Sequence, residues 1–273
     1  MVRSLWTAAT GMIAQQTNID TIANNLANVN TTGYKTEVNE FKSLLYQNLQ
    51  RRTTNADGTV KPIGAQVGLG VRNTSITALY GKPGPLLSSE KETSFAIEGK
   101  GFFAIRGEDG NTYYTRNGNF DWALGENRSN MLTTSDGLSV LDTQGRPITL
   151  NSNYVVSRIT VTADGEVCYP DERNVPQPMG IRIGLIQFNN PAGLERLDDS
   201  LYAQSAASGQ PINETLTNNV EKSKVHQNYL EGSNVQVVDE MVNMIVAQRA
   251  YEMNSKAIIA SDEMLQQANN LRR

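Results

Sequence analysis

One cysteine and one histidine are spread over 273 residues, and those two shortages exclude most of the usual chemistry. A lone Cys168 cannot form an intramolecular disulfide, and it leaves the redox compartment unmarked. As a single small apolar-flanked thiol it reads as a buried strand residue. His226 has no second histidine and no cysteine near it in sequence to complete a ligand set, so it reads as an ordinary hydrogen-bonded imidazole. Aromatic residues are few, at 7%, and no apolar run approaches the length that spans a bilayer. The N-terminus carries Arg3 but lacks the compact apolar core and small-residue cleavage site of a secretory signal. The expectation is a chain that stays in the cytoplasm or leaves by a route that removes nothing. No basic excess exists either: the net charge is −4, and no Lys/Arg stripe interleaves with aromatics. Nucleic acid is therefore set aside as a partner.

Catalytic patterns are equally thin. The adjacent Asp198 and Asp199 imitate paired carboxylates, but sequence neighbours on a strand or turn diverge, so they read as a solvated pair. Gly99-Lys100-Gly101 and Gly68-Leu69-Gly70 lack phosphate-loop spacing and lead into no helix. No serine sits in a nucleophile elbow. We expect no catalytic, cofactor-binding or metal-binding residues, and so not an enzyme.

What the chain has in quantity is heptad patterning at its two ends. The first segment carries Leu5, Ala9, Met12, Gln16, Ile19, Ala23 and Leu26 at alternating steps of four and three. The last forty residues carry two such seams. One is Val246, Ala250, Met253, Ala257, Ala260, Met264, Gln267 and Leu271. The other is Met244, Ala247, Tyr251, Asn254, Ile258, Ser261, Leu265 and Ala268. Two seams on one helix require partners on two sides. The expected division of labour gives the first C-terminal seam to the chain's own helix pair and the second to neighbouring copies. Self-assembly is accordingly assigned to Leu5, Ala9, Met12, Ile19, Ala23 and Leu26 at one end. At the other it is assigned to Met244, Val246, Ala247, Ala250, Tyr251, Met253, Ala257, Ile258, Ala260, Met264 and Leu265.

Between the ends the pattern changes. The opening helix, about Ser4 to Ala27, should stop in NVNTTGYK, where Asn28, Asn30 and Gly33 tolerate turn geometry. Phe41, Leu44, Leu45 and Leu49 share one face of a predicted short helix over 40–49. Residues 50–82 are polar, Gly-rich and weakly β-patterned, which reads as an arm that orders on a neighbour. Short alternating runs from 93 to 205 read as all-β. Asp109-Gly110, Asp136-Gly137 and Asp164-Gly165 suggest primed hairpin turns, with Asn117-Gly118 beside them. The expected core is Phe95, Ile97, Phe102, Phe103, Ile105, Tyr114, Phe120, Leu132, Leu141, Ile148, Ile159, Val161, Ile183, Leu185, Ile186 and Phe188, not all of which can face inward on alternating strands. After a polar return segment, Ser233 and Gln236 fit a capping box opening the last helix.

The predicted class is α+β, with terminal helices pairing as a coiled-coil-like domain and an all-β domain inserted between them. The segments are 1–49 (helical), 50–92 (arm and linker), 93–210 (β-rich), 211–232 (return) and 233–273 (C-terminal helix).

Three blocks carry a family resemblance over nearly the whole chain. They are NNLANVNTTGYK at 24–35, the central FAIEGKGFFAI, YYTRNGNF and FNNPAGLERL, and SNVQVVDEMVNMIVAQRAYEMNSKAI at 233–258. The sequence resembles the bacterial flagellar axial proteins, the rod, hook and hook-associated family. MVRSLWTAATGMIAQQ and LEGSNVQVVDEMV are most similar to its distal-rod members, with proximal-rod and hook members as alternatives. The resemblance implies a subunit of a hollow helical shaft that carries motor torque to the hook. It implies terminal helices lining the tube, β-domains outside, and export through the flagellar type III channel without a cleaved signal. It implies as partners the chain itself, proximal rod and hook proteins, rod-surrounding rings, a rod cap and the export apparatus, within a basal body that spans the periplasm. DDSLYAQ (198–204) departs from the pattern by an acidic residue in place of a glycine, and the 51–70 stretch differs in detail. From another class, a secreted β-rich enzyme or adhesin would need a cleft of converging polar groups, and a closed coiled-coil oligomer would give rings rather than tubes.

Overall fold

The computed structural model describes residues 2–49, 66–125, 129–151, 154–171, 173, 175–198, 200–217 and 220–271. Two helices stand at the ends of the chain: α1 (Val2–Ala27) and α2 (Val237–Asn270). The chain divides into two compact units. One comprises residues 1–27, 37–77 and 236–273; the other comprises 28–36 and 78–235.

In the first unit α1 and α2 run antiparallel. Ser4 Oγ lies 3.3 Å from Ser261 Oγ, Gly11 faces Asn254, and Asn25 Nδ2 donates to Glu240 Oε2 at 3.2 Å. Each pair is one or more steps of seven residues from the next on both helices, the spacing that keeps one face of a helix in view. The pairs are small or polar, which brings the two backbones close. α2 opens without a capping box: the Gln236 side chain makes no cap bond, and Ser233 Oγ accepts the Val235 N–H instead. Asp239 and Glu240 in the first turn complement the positive end of the helix dipole. The predicted helix over 40–49 is absent. Glu37–Ser43 is a strand paired with Val71–Ala78, and Tyr46–Asn48 pairs with Gln66–Gly68. Phe41, Leu45 and Leu49 are exposed, so no core rewards the helical reading of that stretch. Of the predicted arm, residues 50–65 lie outside the described residues, and the rest contributes these strands.

The second unit is all-β. Its main sheet is antiparallel and ten-stranded, with a path from Thr149–Leu150 through Asn130–Thr134, Ser139–Val140, Phe102–Arg106, Thr112–Thr115 and Leu201–Ala203 to Glu195–Arg196. Phe120–Leu124 pairs with Asn130–Thr134, and Leu185–Gln187 bridges Phe102–Arg106 to Ile212–Asn213. A three-stranded sheet (Thr160–Val161, Glu166–Pro170, Pro176–Arg182) stands beside it. The return segment is itself built of strands: Lys224–Gln227 pairs with Phe95–Glu98, and Tyr229–Glu231 pairs with Leu86–Ser88.

Every residue of the expected core is buried except Val161 and Ile186, which are half-buried. Alternation imposes no conflict because the central strand is covered on both faces. Phe103 and Ile105 enter one core with Phe95, Phe120, Leu132, Ile148 and Ile183. Phe102 and Ala104 enter another with Tyr114, Leu141, Phe188 and Tyr202.

The Asp-Gly turns are not primed. Asp109, Asp136 and Asp164 have ordinary negative φ, and only the glycines are left-handed, at +78°, +85° and +76°. Each loop closes five residues with a donor at the first position and an acceptor at the fifth: Gly107 to Asn111, Thr134 to Leu138 and Thr162 to Glu166. This is the three-residue hairpin loop with a glycine bulge, which matches strand twist with one positive φ instead of two. Asp142 to Arg146 repeats it with Gly145, and Leu197 to Leu201 repeats it with Ser200 at φ 60°.

Candidate functional site

Two sets of residues stand out: a charge cluster inside the second unit and the outward faces of the helices in the first. The charge cluster joins all three sequence blocks quoted above. Lys35 ends the N-terminal block, Arg116 lies in YYTRNGNF, and Glu231 precedes the C-terminal block. Lys35 Nζ donates to Glu231 Oε1 at 2.5 Å, and Arg116 donates to Glu231 Oε2 at 3.1 Å. All three are buried to within about 2% exposure, far drier than an ordinary ion pair. Gly84 N–H adds a third donor to the carboxylate, Arg116 also reaches the Gly99 carbonyl at 2.6 Å, and its guanidinium stands 5.1 Å from the centre of the Phe102 ring.

Burial alone would raise the Glu231 pKa. Arg116 and Lys35 outweigh it and hold the carboxyl below its usual range. Burial likewise depresses the Lys35 ammonium, Glu231 opposes that, and Arg116 adds to it. A cluster with this desolvation cost is held together because both carboxylate oxygens accept from a cationic donor and Oε1 also accepts the Gly84 N–H. The chain around it is built to the same end. Gly33 has φ +73°, and a Cβ there would stand 2.7 Å from the Arg116 carbonyl carbon, so only glycine fits beneath the arginine. Gly33 N–H donates to the Glu231 carbonyl at 2.7 Å. Thr36 donates to Asn234 Oδ1 through both its N–H and its hydroxyl, and Asn234 Nδ2 spans the Leu79 and Lys82 carbonyls. The cluster ties together the segments that carry Lys35, Gly84, Arg116 and Glu231.

These residues were missed by patterning because heptad and strand periods track apolar residues. Their one sequence signal is a charge in or beside each of the family-like blocks.

The helix faces correct the seam assignment. The second C-terminal seam, not the first, meets α1: Ala247 and Ser261 are buried on it, and Asn254 touches Gly11. The first seam is turned outward, with Val246 62%, Met253 64% and Leu271 89% exposed, and with Ala257, Ala260 and Met264 exposed too. Ala250, Met244, Ile258 and Leu265 are half-buried, and Tyr251 is exposed. On α1 the inward face runs through Ser4, Ala8, Gly11, Ile22 and Asn25. The predicted seam lies one residue further on, a rotation of about 100°. Leu5, Ala9, Met12, Ile19 and Leu26 are consequently half-buried and Ala23 is exposed. Polar and small residues took the inward face, which an apolar count cannot see.

His226 Nε2 sits 2.8 Å from Glu98 Oε2, and this bond holds the Glu98 carboxyl below its usual range. Cys168 is buried, with its thiol pKa raised by burial. Among the described residues no three His, Cys, Asp or Glu side chains converge as a metal site, and no helix is long and apolar enough to cross a membrane.

Comparison with known proteins agrees with the blocks in order. Residues 5–35 match the flagella basal body rod protein model, 96–169 match the flagellar hook protein FlgE/F/G D1 domain, and 226–271 match the flagellar basal body rod FlgEFG protein C-terminal model. The flagellar basal-body rod protein FlgG of Borreliella burgdorferi is 44% identical, with all of both chains covered. Its Agrobacterium fabrum namesake is 40% identical over 96% of this chain and 97% of that one. The Bacillus subtilis one is 35% identical over the whole of both. With identity at that level from end to end, the chain belongs to the FlgG family of flagellar basal-body rod proteins.

Proposed function

We propose that the chain is a structural subunit of the distal rod of the bacterial flagellar basal body. It polymerises into a hollow helical shaft that transmits motor torque to the hook. The observation that carries the mechanism is the exposed apolar stripe on α2: Val238, Val242, Ile245, Val246, Met253, Met264 and Leu271, left uncovered among the described residues. Full burial of such a side chain contributes about 2 kcal/mol, so a neighbouring copy that covers several of them supplies an association energy of useful size. A contact between two different patches that does not close into a ring propagates as a helix, which is the symmetry a shaft needs. The seven-residue contacts of α1 with α2 support a coiled-coil-like pair as the repeating element. Proximal rod, hook, ring and cap proteins as neighbours, a position across the periplasm, and export without signal cleavage belong to the same reading.

The test is Met253→Asp. Burying an unpaired carboxylate at a subunit contact costs several kcal/mol, yet Met253 is free in the monomer. Electron microscopy should show tubes for the parent and none for the variant, with an unchanged β-unit by circular dichroism. Tubes from the variant would remove the stripe from the assembly, and closed rings from the parent would replace the shaft with a symmetric oligomer. We assign the 50–82 segment to locking adjacent copies. Deletion of residues 51–65 should then give softer or curved rods, and straight rods of unchanged persistence length would end that role.

A further inference from the structure

The first unit contains a polar cleft of about 300 Å³, bordered by Asn18, Thr21, Glu37, Asn39, Glu240 and Asn243. It lies at the step between the Gly11–Asn254 and Asn25–Glu240 contacts, where Asn18 and Ala247 leave the helix pair underfilled. Its chemistry is lopsided. Glu240 is 8% exposed and is met, among the described residues, by one neutral side-chain donor, the Asn25 amide at 3.2 Å. Glu37 brings a second carboxylate to the same wall, and among the described residues no lysine or arginine lines the cleft. Asn39 is 7% exposed, and among the described residues neither end of its carboxamide has a hydrogen-bond partner. A buried carboxylate without a cation and a buried amide with nothing to bond are each costly by themselves. Together on one wall they describe a missing positively charged donor.

We propose that this cleft receives a basic side chain from a second copy of the chain, its ammonium or guanidinium set against Glu240 and a further N–H given to the Asn39 oxygen. Two observations favour a second copy as the source. Val246 and Ala250 line the cleft and also belong to the outward seam of α2, so a copy seated on that seam stands at the cleft mouth. The same unit also carries exposed cations, Arg3, Arg72 and Lys256, that have no ionic partner among the described residues. The inference rests on the assembly proposed above and adds its register: the apolar stripe sets adhesion, and the charged insertion sets which step along the helix is occupied.

The critical concentration for tube formation tests it. Glu240→Gln keeps the shape and removes the charge, and should raise that concentration at least tenfold. Asn39→Ala should raise it several-fold, with the circular dichroism of both variants unchanged. Methylguanidinium chloride should inhibit the parent beyond sodium chloride of equal ionic strength and should lose that extra effect in Glu240→Gln. Assembly of Glu240→Gln at the parental concentration overturns the proposal. If Met253→Asp blocks tubes in the same series, the stripe stands without the cleft; a parent that forms no tubes removes both. A requirement for magnesium or calcium that vanishes in Glu240→Gln would identify a metal site and also overturn it.

Discussion

At the scale of single residues, Glu231 has the largest consequence. Its replacement by glutamine keeps the volume but leaves Lys35 and Arg116 buried with no counter-charge. Such a break costs about 3–5 kcal/mol, to be read as a fall in the urea midpoint of the second unit. The pH dependence follows from the direction of the shift. Glu231 is depressed in the folded state, so its contribution is complete above the unfolded carboxylate value of about 4.3 and drains away as pH falls through the lower folded value. Lys35 works in the opposite sense. Its depressed folded pKa means that holding the proton costs stability, and that cost is relieved as pH rises toward the unfolded lysine value. The parent should therefore lose stability steeply below about pH 4.3, and Glu231→Gln should show a flatter acid limb. An equal slope in both would take the acid sensitivity away from this cluster. Ser200 offers a gain in place of a loss. It occupies the left-handed position that glycine fills in four sister loops, so Ser200→Gly should stabilise by about 0.5 kcal/mol, seen as a higher melting temperature. The Thr115 hydroxyl donates to the residue-200 backbone carbonyl at 2.9 Å in either form, so no gain would mean that serine bears no left-handed strain at this position.

Elements respond to the same logic at greater length, and α2 separates two kinds of damage. Met253 points away from α1, while Ile258 belongs to the seam that meets it, half-buried. Met253→Asp should abolish tubes and leave the helix pair as it was. Ile258→Asp should abolish tubes and also loosen the pair, seen as a loss of helical signal in the unassembled chain. Equal helical content in both variants would show that Ile258 is not part of the pair. The contrast also shows what was legible in the sequence. Heptad spacing marked two apolar seams on α2, because spacing is a local property. Which face turns inward was not legible: the winning contacts are Ser4 with Ser261 and Asn25 with Glu240, chosen by backbone proximity and hydrogen bonding instead of apolar content. Residues 40–49 failed for a related reason. Phe41, Leu44, Leu45 and Leu49 fit a helix face, but the strand Val71–Ala78 supplied a backbone partner, and pairing with it overrode the period. In the β-unit the strand runs and the core were legible, because turns and alternation are written locally. The Lys35, Arg116 and Glu231 cluster was not, since its members come from three distant segments and no period links them.

At the scale of the whole molecule the two units differ in what holds them. The second buries apolar cores on both faces of its main sheet and a third cluster at Leu150, Ile159 and Val167, and is fastened by ion pairs. In the first, the fully buried apolar side chains of the helices are Ala8, Ala14, Ile22 and Ala247, the other fully buried residues are the polar Thr21, Asn25, Glu240 and Ser261, and Met244, Ile258 and Leu265 are only half-buried. Ile22 is the one large apolar group among them, with a burial contribution of about 2–3 kcal/mol. Fixing a helical residue opposes folding by about 1 kcal/mol or more, and the two helices contain 26 and 34 residues. Hydrogen bonds along the helices offset part of that cost, but little apolar burial is left to stabilise the pair once it is solitary. The unassembled chain should therefore exchange its amides rapidly over residues 5–26 and 238–265, while Phe95–Glu98 and Phe102–Arg106 stay protected. On assembly the outward seam gains a cover, and protection in both terminal stretches should rise by at least a hundredfold. Hydrogen exchange followed by mass spectrometry reads both states from one preparation. Terminal helices as protected in the monomer as the central strands would mean that the helix pair is complete by itself, and assembly would then have to be driven from another surface.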